Sequence, residues 1–158
     1  YMKPVLEALK ARDGEKHCEM KLGLTRALEP CDFMSEHVWW RGIVDLVITN
    51  GDMAWIVDYK TSKSAKYADK GQLELMALAT FKYFPKIKKI NAGLLFVVSN
   101  NFIKHTYTDD MIPALWKKWL SNYSRMEIAH SNNVWNAHPS GLCKRHCVVL
   151  ECIHNGSN

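Results

Sequence analysis

No apolar run in the 158 residues reaches the length a helix needs to cross a bilayer, which excludes a membrane-spanning helix. The opening Tyr1-Met-Lys-Pro does not read as a signal peptide, so an intracellular, cytoplasmic chain is expected. An initiator methionine is also missing from the first position, as in a fragment or a trimmed chain. Internal repeats and low-complexity tracts are absent, which excludes a solenoid. Acidic residues are in deficit: 16 Asp and Glu against 21 Lys and Arg leave a net charge of +5. That balance suits a polyanionic partner without demanding one. The sequon Asn155-Gly-Ser157 is read as chance in a chain without secretory signals.

What is present is an ordinary globular composition, 47% apolar, in a chain long enough for one domain with a real core. Residues 4–10 read as a short helix stopped near Gly14. Residues 16–25 read as a strand, because Cys18, Met20, Leu22 and Leu24 alternate with Glu19, Lys21 and Gly23. Residues 26–37 read as a loop. Strands over 38–49 and 53–60 flank Asn50-Gly51-Asp52, a strong hairpin signal. A helix over 71–84 is closed by Pro85. The run 92–99 reads as a central strand, 102–108 as its neighbour, and 109–130 as a long helix with Pro113 in its first turn. This order gives helices packed on a mixed sheet.

Two of these strands are apolar on both faces but interrupted by charge. Arg41-Gly-Ile-Val-Asp45-Leu-Val-Ile48 carries one carboxylate, and Trp55-Ile-Val-Asp58-Tyr-Lys60 carries a carboxylate and an ammonium. A buried charge costs several kcal/mol unless it is paired or bound to metal. Residues i and i+2 of a strand share a face, so Asp58 and Lys60 project together. A buried ion pair is one reading. Two carboxylates converging beside a lysine also form a divalent-cation site with a cationic helper, the equipment for phosphodiester hydrolysis.

The ordered set Gly42-x-x-Asp45, Asp58-x-Lys60 and Gln72-Leu-Glu-Leu-Met-Ala77 resembles the PD-(D/E)XK nuclease superfamily, and within it the RecB-like exonucleases common in phages. CRISPR-associated exonucleases are similar. The resemblance implies an α/β restriction-endonuclease-like core, a mixed central sheet flanked by helices, over residues 1–135, with a Cys/His-rich tail over 136–158. It implies Mg²⁺ or Mn²⁺ held by Asp45, Asp58 and the backbone carbonyl of Tyr59, with Lys60 acting on the water or the phosphorus. Glu19, in a Glu-x-Lys-Leu stretch, completes the metal shell or lies on a solvated strand face. Gln72 orients Lys60 or touches DNA. Lys63, Lys66 and Lys70, with Tyr67 among them, form a track for single-stranded DNA. The family's upstream ligand-bearing helix has only residues 1–10 to match it here, with Glu7 as its one candidate.

The tail packs Cys143, Cys147, Cys152 and His154 into 12 residues. Without secretion, a metal is preferred to disulfides. A Cys₃His set suits structural zinc. His146 competes with His154 for that site. The resembling exonucleases suggest a [4Fe–4S] cluster instead, with Cys18 or Cys31 as fourth ligand. Two functions follow: a metal-dependent DNA exonuclease of phage replication or recombination acting on ends or single strands, or a DNA-binding module that keeps the fold without cleavage.

Overall fold

In the computed structural model of the chain, residues 3–63, 65 and 68–156 are described. They form two compact units, 1–118 and 119–158. The first holds a six-stranded sheet whose strands are β1 (Glu15–Thr25), β2 (Pro30–Cys31), β3 (Val38–Asn50), β4 (Met53–Lys60), β5 (Lys89–Phe96) and β6 (Asn101–Thr108). Their order across the sheet is β2-β1-β3-β4-β5-β6. Only β4 and β5 run parallel; every other pair is antiparallel, so the sheet is mixed. Helix α1 (Lys3–Ala11) precedes the sheet. Helix α2 (Lys70–Tyr83) makes the crossover between the parallel strands. A 3₁₀ turn at Asp109–Met111 leads into α3 (Ile112–Ser131), which begins in the first unit and ends in the second.

The strands form where apolar side chains can be buried on one or both faces. Leu46, Ile48, Val57 and Leu95 make one layer, against which Leu9 of α1 packs together with Trp55, Tyr59 and Phe102. On the other face Val47 and Ile56 are paired across β3 and β4 and fully or almost fully buried. Helix α2 is buried nearly all round, through Leu73, Met76, Ala77, Leu78, Ala79, Thr80 and Phe81. A short helix apolar on all sides cannot stand in water and must lie inside the fold. Its start is fixed by Asp69, whose carboxylate accepts the Gly71 N–H at 2.8 Å.

The hairpin forms at the expected place with a different centre. Asn50 pairs with Met53, so the two turn residues are Gly51 and Asp52. Gly51 has φ +60° and Asp52 is not left-handed, which is the II′ turn rather than the I′ turn that Asn-Gly suggests. Gly42 is needed for a close approach: a Cβ there would come 2.4 Å from the Trp40 ring.

Three expectations are corrected. The loop over 26–37 contains β2, because Pro30 lacks an N–H and is tolerated at the outermost position of the sheet. The run 92–99 overshoots: β5 ends at Phe96, and residues 97–100 turn, with Asn100 at φ +52°. Strand β5 is also not central. It lies second from the β6 edge, and its apolar run reflects cover on both faces rather than a middle position. In the second unit, the tail includes an unexpected five-residue helix α4 (Gly141–Arg145), capped by Ser140.

Tyr83 ties the end of α2 to the sheet edge. Its hydroxyl accepts the Gly23 N–H at 2.9 Å and shares its proton between the carbonyls of Gly23 (3.1 Å) and Cys31 (2.9 Å). Replacing it by phenylalanine leaves those groups without a partner. Tyr83→Phe should therefore lower stability by about 1–3 kcal/mol in urea unfolding, with an unchanged m-value.

Candidate active site

Strands β3 and β4 pair from Asn50↔Met53 to Leu46↔Val57. One further step of that register sets Asp45 opposite Asp58, so both carboxylates leave the same face. The ladder stops at that step. In its place Asp45 Oδ2 accepts the Tyr59 backbone N–H at 2.7 Å, a charge-assisted bond that holds the end of β4. The Tyr59 ring points to the opposite face, toward the α1 layer. Burial, then the electrostatic influence of Asp45 and Cys18, raises the Tyr59 pKa, so its phenol stays neutral.

Asp58, Lys60 and Gln72 close a ring of contacts. Lys60 Nζ lies 2.6 Å from Asp58 Oδ2 and donates to Gln72 Oε1 at 2.8 Å; Gln72 Nε2 donates to Asp58 Oδ1 at 3.0 Å. The Asp58 side chain is 7% exposed and that of Lys60 32%, so the carboxylate is buried and the ammonium reaches solvent. Gln72 stands in the first turn of α2, which the Asp69 cap holds in place. The Asp45–Tyr59 bond and the Asp69 cap were not foreseen. An aspartate immediately before a helix is a readable signal, whereas the first depends on strand divergence.

Glu19 lies between the pairs Cys18↔Leu46 and Met20↔Val44, so register puts it opposite Asp45. Its φ is +49°, a left-handed conformation that costs a residue with a Cβ about 1–2 kcal/mol. Its side chain is exposed. Lys63 is exposed, and exposed Lys70 opens α2. Lys66 and Tyr67 lie outside the described residues. Glu7 is exposed and faces Lys10 at 3.8 Å.

Among the described residues, no three His, Cys, Asp or Glu side chains gather into a group that could hold a metal ion. Glu19 is thus not brought to Asp45 and Asp58 as a third ligand, and Cys143, Cys147, Cys152 and His154 are not brought into one set. The tail is organised by backbone bonding instead. Cys143 Sγ accepts the Ser140 N–H at 3.4 Å, and buried Asn155 donates to the carbonyls of Cys147 (3.1 Å) and Val149 (2.9 Å).

The Asp45 and Asp58 pair nevertheless fits a hard divalent cation. Both supply carboxylate oxygen, and Mg²⁺ is commonly held by one or two carboxylates plus waters. Asp58 Oδ2 is buried and, despite the nearby ammonium, receives no hydrogen bond of normal geometry from the described residues. Asp45 and Asp58 are the residues that would hold the ion.

The family profile described as the PD-(D/E)XK nuclease superfamily matches residues 4–152. No curated protein matches. Among solved structures, a protein called SSO0001, known from its crystal structure, is similar at 12% identity and a TM-score of 0.39 over 76% of this chain. The chain spans 56% of the length of that protein. With the profile match running through the sheet, α2 and the tail, this chain belongs to the PD-(D/E)XK nuclease superfamily.

Proposed function

We propose that the chain is a Mg²⁺- or Mn²⁺-dependent deoxyribonuclease, an exonuclease of the RecB-like phage branch with similarity to CRISPR-associated exonucleases. It would act on linear DNA ends or single strands during phage replication or recombination, in the cytoplasm of the bacterial host. The observation that carries this reading is the closed contact ring of Asp58, Lys60 and Gln72, with Asp45 on the same sheet face. It is supported by the family, whose members generally use divalent metals and act on nucleic acid.

A cation held by Asp45, Asp58 and the Tyr59 carbonyl, with Glu19 reached through water, would neutralise the scissile phosphate and lower the pKa of a bound water. The protein residues supply the rest. Lys60 offers its ammonium to charge that develops on the phosphoryl oxygens. Gln72 fixes Lys60 through its oxygen and Asp58 through its nitrogen, so the pair keeps its geometry when the phosphate arrives. Lys63, Lys66 and Lys70 track the strand by charge. In this reading residues 1–135 carry the chemistry and residues 136–158 form an appended tail. Thiol density in the sequence, rather than tail geometry, supports zinc or a [4Fe–4S] cluster on Cys143, Cys147, Cys152 and His154; zinc and iron content of the purified protein decides it.

One observation favours the alternative, a DNA-binding module without cleavage: among the described residues no third ligand joins the two aspartates. Incubation with 5′- and 3′-labelled linear DNA in Mg²⁺, Mn²⁺ and EDTA separates the two readings. Metal-dependent shortening is expected; retention of DNA without shortening in either metal selects the module.

Lys60→Ala should slow cleavage by about 10²-fold or more, because the ammonium acts on charge present only in the transition state. DNA binding should stay within a few-fold in a gel-shift titration. The same change leaves Asp58 buried without its counter-ion, so the apo protein should melt earlier, and Mn²⁺ should restore much of the loss.

Asp45→Asn and Asp58→Asn should each abolish cleavage and weaken Mn²⁺ binding by tenfold or more, about 1.4 kcal/mol. Isothermal calorimetry checks this directly. Unchanged Mn²⁺ affinity in both variants would remove them from the metal shell.

A further inference from the structure

On the face of the sheet opposite the carboxylates lies a cavity, about 260 Å³ in volume, bounded by α1, β4, β5 and β6. Strand alternation separates the two sites: Asp58 and Lys60 leave one face of β4, Trp55 and Val57 the other. Arg12 and Lys104 bring positive charge to this cavity, and no carboxylate is among its lining residues. Both cations sit on aromatic faces. The Arg12 guanidinium carbon is 4.3 Å from the centre of the Trp55 ring, and Lys104 Nζ is 4.8 Å from that of Phe102. Gly93 leaves the space for the Phe102 ring, since a Cβ there would come within 2.2 Å of it.

These rings hold the cations in place before any ligand arrives. Arg12 Nε is moreover buried and has no hydrogen-bond partner among the described residues. A buried donor without an acceptor costs about 1–3 kcal/mol, and an anion would satisfy it. Next to it, the Thr106 hydroxyl donates to Asn91 Oδ1 at 3.0 Å, which leaves the amide nitrogen of Asn91 as the end able to donate further. Leu9 and Val57 give the cavity an apolar floor. Oriented positive charge, an amide donor and an apolar floor together match a phosphate joined to an apolar ring, and the volume has room for one such unit.

We propose that this cavity binds a nucleotide, its phosphate on Arg12 and Lys104 and its base on the apolar floor, at a site separate from the carboxylate face. The nucleotide is either free or one unit of a single strand. This inference goes beyond the nuclease reading and does not depend on it, since binding is read without cleavage.

The test uses the full chain in EDTA with ¹⁵N labelling. The six tryptophans give six indole N–H signals, and Trp55→Phe assigns the one that reports on the cavity. Thymidine 5′-monophosphate, thymidine, and a 5′-phosphorylated oligothymidylate are titrated separately to millimolar concentration. The Trp55 signal should move saturably with the monophosphate or the oligonucleotide, while thymidine has little effect and buried Trp116 stays in place. Response to the monophosphate identifies a free nucleotide; response to the oligonucleotide alone identifies a strand. Arg12→Gln and Lys104→Gln should each weaken binding about tenfold, roughly 1.4 kcal/mol. Lys104 is exposed on the edge strand, so its substitution does not endanger the fold. A motionless Trp55 signal, an equal response to thymidine, or an unchanged midpoint in Lys104→Gln would overturn the proposal.

Discussion

The buried carboxylate of Asp58 is the constraint on which the site depends. Removing such a group from water costs several kcal/mol unless partners surround it. Two partners come from different elements: Lys60 from two residues along the same strand, Gln72 from the first turn of α2. Lys60 and Gln72 also bond each other, so the side chains constrain one another in a closed ring. The ring joins the end of β4 to the start of the crossover helix. Any shift of α2 along its axis would break it, and the Asp69 cap and the Tyr83 hydroxyl hold the two ends of that helix against such a shift.

The same arrangement links fold to chemistry. A parallel pair of strands requires a crossover, and here the crossover helix enters beside the carboxyl end of β4. Where β3 and β4 part, the backbone no longer satisfies itself, and Asp45 takes the Tyr59 N–H. One carboxylate therefore stabilises the strand end while the other is held by a lysine. Lys60 lies against Asp58 Oδ2, the buried oxygen of that carboxylate. In the proposed reading a cation and Lys60 would compete for Asp58, which would tie the stability of the ring to its occupancy.

The two faces of β4 carry different electrostatics. One presents carboxylates with the Lys60 ammonium held among them, the other places cations over aromatic rings with no carboxylate among the lining residues. The pleat keeps these environments apart although their residues alternate along the chain: Trp55 and Val57 on one side, Asp58 and Lys60 on the other.

Much of this was legible from residues alone. The i, i+2 spacing of Asp58 and Lys60, the apolar runs around them and the glycine turn located the hairpin and the shared face of the charged pair, because strand alternation is a local property. The polar-apolar alternation of β1 likewise located Glu19. What sequence could not decide was anything set by distant partners. The β2 edge strand exists only because β1 offers it a partner, and β5 ends at Phe96 because the chain must turn, although Val97 and Val98 continue the apolar run. Whether Glu19 reaches Asp45, and whether the tail thiols meet, are matters of three-dimensional approach. In the tail the amide of Asn155 takes the carbonyls of Cys147 and Val149, a contact that no spacing rule for cysteines contains. Local periodicity wrote the strands and the charged pair into the sequence; only tertiary packing chose the partners, since a buried polar group bonds to whatever the fold brings within 3 Å or so.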